Sequence, residues 1–246
     1  EMIDRLKDQQ EKLIITERHE AWGSLARKLA HEIKNPLTPI QLTIDRLKNK
    51  YSTDIAEKNK LDFNENLKII NNQIKQIEKL VNEFSDFARM PKPIFQKNDL
   101  VELMRDNIKL LQELDETIKI ELKNNNHKIF FNSDKEQLSR VFFNLIKNSV
   151  ESIQQKAEKH VNFVKNIGIE LNELNDHISL TINDNGIGFD SLSNDIKEIL
   201  NPYFTTKNKG TGLGLSIVNK IVNDHNGSIE FISKEDGAII KVNLIK

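Results

Sequence analysis

"LAHEIKNPLTPI", residues 29–40, places His31, Glu32 and Asn35 just ahead of Pro36, with Pro39 three residues further on. The apolar residues running through it are Trp22, Ala26, Leu29, Ile33, Leu37, Ile40, Ile44, Leu47 and Tyr51. They recur in steps of three and four, which predicts one long amphipathic helix with an extra four-residue step near the prolines. A proline inside a helix removes a hydrogen bond and crowds the carbonyl four residues back, here that of Glu32 or Asn35. His31 and Asn35 stand four apart and share a face, Glu32 sits beside them, and neither His31 nor Glu32 lies on the apolar stripe. A costly proline pair beside an exposed polar cluster points to a use for that cluster.

Outward from this stretch, Phe63, Leu67, Ile70, Ile74, Ile77, Val81, Phe84 and Ala88 follow a heptad rhythm. Two long helices joined around "STDIAEKNK" form a helical hairpin. Two such seams cannot enclose a core alone, so the hairpin is expected to pair with a second copy as a four-helix bundle, giving a homodimer. The alternative is an ordinary hairpin packed against the rest of the chain. Arg89 is the last residue in register, and "ARMPKPIF" then breaks the helix, because each proline biases the residue before it away from helical angles.

Beyond that break the pattern becomes mixed. A helix is expected from about Leu100, strands at "IKIELK" and "KIFF", and a long helix from Asp134 with Ser133 and Glu136 spaced as a capping box. "IGIELN" and "HISLTIND" read as an antiparallel pair, a helix runs from Leu213 to about Asp224, and "GSIEFIS" and "AIIKVNLI" close the chain. The fold class is α+β: a helical hairpin followed by an α/β sandwich with helices on one face of a mixed sheet.

The 36 basic and 37 acidic residues are interspersed and leave a net charge of −1, which gives no electrostatic reason to expect nucleic acid as a partner. The sequence has no cysteine, so thiol catalysis, disulfides and cysteine-based metal sites are excluded. No apolar run approaches the length of a membrane span. The chain opens with Glu1 rather than Met, and is read as part of a longer protein.

Several residues carry chemistry. Asn144 and Asn148 are four apart on the flank of a helix whose Leu138, Val141, Phe142, Leu145 and Ile146 are expected to face the sheet. Paired amide oxygens can complete a magnesium shell together with phosphate and water, though two surface asparagines would look the same. In "DNGIGF", Asp184 can accept a hydrogen bond from an exocyclic amine, while Gly186 and Gly188 allow backbone angles that other residues resist. "KGTGLGLS" puts Gly210, Gly212 and Gly214 just before a helix, whose free N–H groups favour a phosphate. It is neither a P-loop nor a Rossmann fingerprint. The intervening "SLSNDIKEILNPYFTTKNK" suits a lid over a ligand.

These motifs together resemble the catalytic region of bacterial two-component sensor histidine kinases. "HEIKNP" resembles the family's H-box, "NLIKNSVES" its N-box, "DNGIGF" and "GTGLGLS" its glycine boxes and "PYFTTK" its F-box, in the family's order, across residues 21–246. "EAWGSLARKLAHEIKNPLTPIQLTIDRLKNKY" is similar to the NtrY nitrogen-regulation type, and the opening "EMIDRLKDQQEKL" resembles the end of a HAMP signalling helix. The resemblance implies a division into residues 1–16 (end of the signalling helix), 17–90 (dimerisation and histidine phosphotransfer), 91–94 (linker) and 95–246 (ATP-binding domain of the histidine kinase, Hsp90 and gyrase type). It implies the cytoplasmic portion of an inner-membrane sensor, with a membrane reached only through segments upstream of this chain.

From the resemblance, His31 is the phosphoacceptor and attacks the γ-phosphoryl group of ATP, and Glu32 takes a proton from the imidazole. Asn35 completes a pattern associated with dephosphorylation of the partner. Asn148, assisted by Asn144, holds Mg2+; Asp184 reads the adenine amine; Gly186, Gly188, Gly212 and Gly214 line the ATP site; Thr206 and Lys207 reach the phosphates from the lid. The phosphoryl group then passes to an aspartate of a response regulator receiver domain, of the NtrC type by analogy. One position departs: where many members carry a basic residue three after the second N-box asparagine, this chain has Glu151. The competing expectations are a gyrase- or Hsp90-like ATPase and a nucleotide-binding dimeric scaffold that transfers no phosphate.

Overall fold

A computed structural model describes the backbone of residues 2–51, 55, 57–88, 90–113, 115–160, 163–189, 196–202, 204–205, 210–234 and 236–246, with side chains from residue 28 onward and at Ala26, except those of residues 57, 196 and 197. The chain divides into two compact units, one of residues 1–91 with 207–211 and a second of residues 92–206 with 212–246.

The helical unit consists of α1 (Met2–Tyr51) and α2 (Glu57–Ala88). α1 is unbroken through Pro36 and Pro39. Next to the prolines, threonine hydroxyls back-bond to carbonyls one turn earlier, Thr43 to Pro39 O at 2.8 Å and Thr38 to Lys34 O at 3.5 Å. Between the helices, Leu37, Ile44, Leu67 and Ile74 form a buried cluster with Phe63 against it. The expected stripe is split by burial: Leu37 and Ile44 are 7% and 4% exposed, while Ile33 and Ile40 are 41% and 45% exposed. α2 alternates in the same way, with Leu67, Ile74 and Val81 buried and Ile70 and Ile77 exposed. One half of each seam is thus consumed within the hairpin and the other half is left open. Trp22 and Arg89, placed on the stripes by spacing, lie outside the residues whose side chains are described.

The second unit carries a five-stranded sheet in the order β2-β4-β5-β7-β6, built from β2 (Lys119–Asn124), β4 (Asn166–Glu173), β5 (His177–Asp184), β6 (Gly227–Lys234) and β7 (Gly237–Ile245). β2 runs parallel to β4 and all other neighbours are antiparallel. The expected antiparallel pairing of β4 with β5 is present, Ile167 opposite Asp184. One face bears the apolar phase: Ile167, Ile169 and Leu171, then Ile178, Leu180 and Ile182, then Ala238, Ile240, Val242 and Leu244, all buried. Against it pack α4 (Lys135–Ala157), through Leu138, Val141, Phe142, Leu145 and Ile146, and α5 (Gly214–Asp224), through Ile217, Val218, Ile221 and Val222. Each such side chain contributes about 1.5–3 kcal/mol by leaving water. The opposite face is polar, with Glu170, Thr181, Lys241 and Glu230 in one cross-strand row, as an antiparallel sheet covered on one side requires.

Three local expectations are corrected. The N-cap of α4 is Asp134, whose carboxylate accepts from Gln137 N–H at 3.0 Å, and not Ser133. Ser133 is consumed as the last residue of β3 (Phe130–Ser133), two residues beyond the start expected at "KIFF". β3 stays outside the main sheet, pairing instead with β1 (Gln96–Asp99), whose polar sequence gives no strand signal and which leads into α3 (Leu100–Gln112), the helix expected from about Leu100. Within the stretch read as a lid, a 3-10 helix at Ile196–Leu200 buries Ile199.

Candidate nucleotide and phosphoacceptor sites

Asp184 follows Ile178, Leu180 and Ile182 in the inward phase of β5, so strand alternation carries a carboxylate under α4. It is 4% exposed. Ser149 on α4 donates to its Oδ2 at 2.9 Å and Gly186 N–H donates to its Oδ1 at 3.0 Å. Burial pushes the Asp184 carboxyl above its ordinary value, against the opposing donors Gly186 N–H, Ser149 hydroxyl and Ala238 N–H and the charge of Lys234. Each carboxylate oxygen can accept more than one hydrogen, so the group can still receive an amine from a ligand.

The loop after β5 is fitted to α4. A Cβ added at Gly186 would lie 2.2 Å from Ser152 Oγ and 2.8 Å from the Ser152 carbonyl carbon. Ser152 Oγ accepts from Ile187 N–H at 3.0 Å. Gly188 has φ +70°, and its Cβ would meet Gly237 O at 2.7 Å. Gly186 therefore serves close approach and Gly188 a left-handed turn.

Asn144 and Asn148 lie half-buried on α4. Asn144 Oδ1 lies 3.7 Å from the position a Cβ of Gly214 would occupy, so this amide oxygen sits against the first residue of α5. Leu213, the N-cap of α5, makes no side-chain cap bond, and a helix N-terminus favours an anion. Gly212, just before it, turns at φ +70°. An amide oxygen beside a helix N-terminus suits a hard cation shared with phosphate oxygens, and among the described residues no cluster of three or more His, Asp or Glu forms a rival metal cage. Glu151 is paired with Lys147 at 3.8 Å on a solvated helix face. Thr206 and Lys207 lie outside the described residues.

Sequence reasoning missed the supports of this site. Lys156, in the last turn of α4, reaches the carbonyls of Asn185 and Gly186, and Ser149 and Ser152 hold Asp184 and its loop from below. Gly237, at φ +102°, lets the β6–β7 turn pass where a Cβ would lie 1.9 Å from Asp184 O. A serine following the second asparagine of the pair is the sole signal that was open to reading.

On the helical unit, His31, Glu32 and Asn35 are all exposed on α1, away from the buried seam.

Residues 133–245 match the family of histidine kinase-, DNA gyrase B- and HSP90-like ATPases, and residues 21–93 match the His Kinase A phospho-acceptor domain. The NtrY-like sensor histidine kinase of Rickettsia prowazekii is 40% identical over 242 residues, 98% of this chain and 39% of that protein. The nitrogen regulation protein NtrY of Azorhizobium caulinodans is 35% identical over 235 residues, 92% of this chain and 28% of that protein. The chain thus spans about two fifths or less of the length of these relatives. Among solved structures, full-length ShkA with AMPPNP has a TM-score of 0.68 at 17% identity, covering 90% of this chain and 45% of that one. Histidine kinase ThkA, in complex with response regulator protein TrrA, has a TM-score of 0.64 at 24% identity, covering 98% of this chain and 67% of that one. These two likenesses show the fold. With the phospho-acceptor and ATPase-like domains matched in that order and the Rickettsia relative aligned along nearly all of it, this chain belongs to the sensor histidine kinases, of the NtrY-like type.

Proposed function

We propose that this chain binds ATP in its second unit, phosphorylates itself on His31 and passes the phosphoryl group to an aspartate of a response regulator, an NtrC-like one being the first to try. The observation that carries the reading is Asp184, a buried carboxylate at the end of β5 held by Ser149 of α4 and Gly186 N–H, together with Asn144 of the same α4, whose amide oxygen lies against the first residue of α5. Asp184 accepts the adenine amine, and the N-terminus of α5 with the Gly212 and Gly214 backbone receives the phosphates. Asn148 and Asn144 are the residues to hold Mg2+, which when bound neutralises phosphate charge. Thr206 and Lys207 belong to the same reading on sequence grounds.

An imidazole nitrogen with a free lone pair attacks the γ-phosphorus, the bond from that phosphorus to the β–γ bridging oxygen breaks, and ADP leaves. Glu32, beside His31, takes the proton from the other ring nitrogen as positive charge develops there. Asn35, one turn on, orients water when the partner aspartate is dephosphorylated. Pro36 and Pro39 each remove one backbone bond beside His31, which gives α1 a place to bend between a state facing ATP and one facing the receiver. The open half of the hairpin seam, Ile33, Ile40, Ile70 and Ile77, is covered by a second copy in a four-helix bundle. In the intact protein, residues 1–16 end a signalling helix, 17–90 transfer the phosphate, 91–94 link and 95–246 bind ATP. The greater length of the relatives supports a cytoplasmic region attached to upstream sensor and membrane segments.

The test is incubation with γ-labelled ATP and magnesium. Label that is acid-labile and alkali-stable, and that is absent in His31→Gln, supports the reading. Release of free phosphate without labelled protein favours an ATPase, and nucleotide binding with neither product favours a scaffold.

A further inference from the structure

Lys156 is 16% exposed in its side chain and has three oxygen partners for its three ammonium hydrogens. It donates to Asn185 O at 3.0 Å, to Gly186 O at 2.9 Å and to the Asp236 carboxylate in the β6–β7 turn. The ring of Phe163 lies 5.1 Å from the ammonium and covers it. A lysine so enclosed is not a solvated charge at a helix end.

The two carbonyls belong to consecutive peptide groups, and the other end of each group is also engaged. The Asn185–Gly186 peptide gives its N–H to Asp184 Oδ1, and the Gly186–Ile187 peptide gives its N–H to Ser152 Oγ. Each peptide is therefore a bridge with the ammonium at its oxygen and an α4 hydroxyl or the Asp184 carboxylate at its N–H. A cation at the carbonyl polarises the amide and strengthens its N–H as a donor, and chains of hydrogen bonds reinforce one another where water is excluded. The charged groups around this arrangement are Asp236, with His160 near it, and Lys234, whose ammonium is directed to Asn183 Oδ1 at 3.0 Å.

We propose that Lys156 is a positioning residue for base selection: by holding the carbonyls of Asn185 and Gly186, it aims the Gly186 and Ile187 N–H groups of the same two peptides and fixes Asp184 where it distinguishes a base with an exocyclic amine from one without. This rests on the assignment of Asp184 to the adenine amine. Lys156 stands two helical turns beyond Asn148, makes no ligand contact in this reading and acts through the loop alone.

The experiment compares ATP with inosine triphosphate, which lacks the amine, by titration calorimetry on the whole chain. Wild type is expected to prefer ATP, and Asp184→Asn to lose that preference. In Lys156→Met, ATP affinity should fall by about tenfold, the scale of one hydrogen bond to a charged group, while inosine triphosphate affinity stays within about twofold. Lys156→Arg, which retains the charge and the donors, should restore most of the preference. Should Lys156→Met fail to fold, Asp236→Asn, on the exposed turn, removes one of the three anchors and should give a smaller loss confined to ATP. Equal loss for both nucleotides in the folded variants would reduce Lys156 to a structural role and overturn the inference. An undiminished ATP preference would overturn it too, leaving the Asp184 assignment standing. A wild type indifferent to the base would overturn both.

Discussion

Ser149 donates to Asp184 Oδ2 at 2.9 Å from the position immediately after Asn148, so one turn of α4 carries both the support of the carboxylate proposed to read the base and an amide proposed to hold the cation. Removing a donor from a buried charged group costs about 1.5–3 kcal/mol. Ser149→Ala should therefore weaken ATP binding by at least about tenfold while the fold, which loses only the hydroxyl, is retained. Asp184→Asn should weaken it further, since an amide presents hydrogens where the adenine amine needs an acceptor. Calorimetric titration of both variants with ATP checks the order; equal affinities would contradict it.

Burial raises the Asp184 carboxyl above its ordinary value, and the sign of two pH effects follows. Only the ionised form accepts freely, so ATP affinity should fall on acidification at a pH above the ~4 of an ordinary aspartate. For stability the effect runs the other way. A raised carboxyl makes ionisation cost more in the folded state, so its contribution is favourable below the unfolded value of about 3.9 and is lost as pH rises through the folded value. Urea unfolding and ATP titration across pH 4–7, compared with Asp184→Asn, should show both slopes in wild type and neither in the variant.

The glycines separate structural from ligand-facing roles. Gly186→Ala drives a Cβ to 2.2 Å from Ser152 Oγ and 2.8 Å from Ser152 backbone, and Gly237→Ala adds a strained φ of +102° to a 1.9 Å clash. Both should lower the melting temperature, by about 2 kcal/mol or more of stability. Gly214→Ala meets only Asn144 Oδ1 at 3.7 Å, an ordinary contact, so it should leave melting unchanged and weaken nucleotide binding by blocking approach to the α5 backbone. Unchanged ATP affinity in Gly214→Ala would remove that residue from the site.

The legible parts of this molecule are those with a period. Asp184 was readable from "DNGIGF", an acidic residue and two glycines closing a strand, and the structure adds that it falls in the inward phase of Ile178, Leu180 and Ile182. The seams of α1 and α2 were readable from their three- and four-residue steps, though not which half is buried within one hairpin. Lys156 left no trace, because two of its three partners are main-chain carbonyls 29 and 30 residues away that carry no side-chain signature, and the third, Asp236, is 80 residues away. β1 was hidden because "QKND" has no apolar alternation and is extended only by pairing with β3. That pairing also took Ser133 into the strand, which left Asp134 as the cap.

The open seam predicts where association can be broken without unfolding the hairpin. Ile70 and Ile77 are 44% and 40% exposed in one chain, against 6% and 4% for Leu67 and Ile74. The double substitution Ile70→Glu with Ile77→Glu should shift sedimentation from dimer to monomer with helicity kept. Leu67→Ala should instead destabilise the hairpin itself, by about 2 kcal/mol or more. A doubly charged variant that still sediments as a dimer would move the interface elsewhere.

Asp134 joins three segments, and its titration gives the last test. Its Oδ1 accepts from Gln137 N–H at 3.0 Å, its Oδ2 accepts from Ile94 N–H at 2.8 Å, and its own N–H donates to His225 Nε2 at 3.0 Å. Burial works to raise its carboxyl, but the N–H donors of Gln137, Ile94 and Glu136, with His225, outweigh it and hold the group below its ordinary value. A lowered carboxyl contributes stability that is present above the unfolded value of about 3.9 and is lost as pH falls through the lower folded value. At pH 7, Asp134→Ala should cost about 0.5–2 kcal/mol as a lost helix cap. Asp134→Ser should recover the bond to Gln137 but not the one to Ile94, and so fall between. As pH drops below about 4 and on through the lower folded value, the gap between wild type and Asp134→Ala should narrow. Urea denaturation at pH 7, 5 and 3.5 reads this directly, and a gap between wild type and Asp134→Ala that stayed constant across the three would mean that the carboxylate's charge plays no part in capping α4.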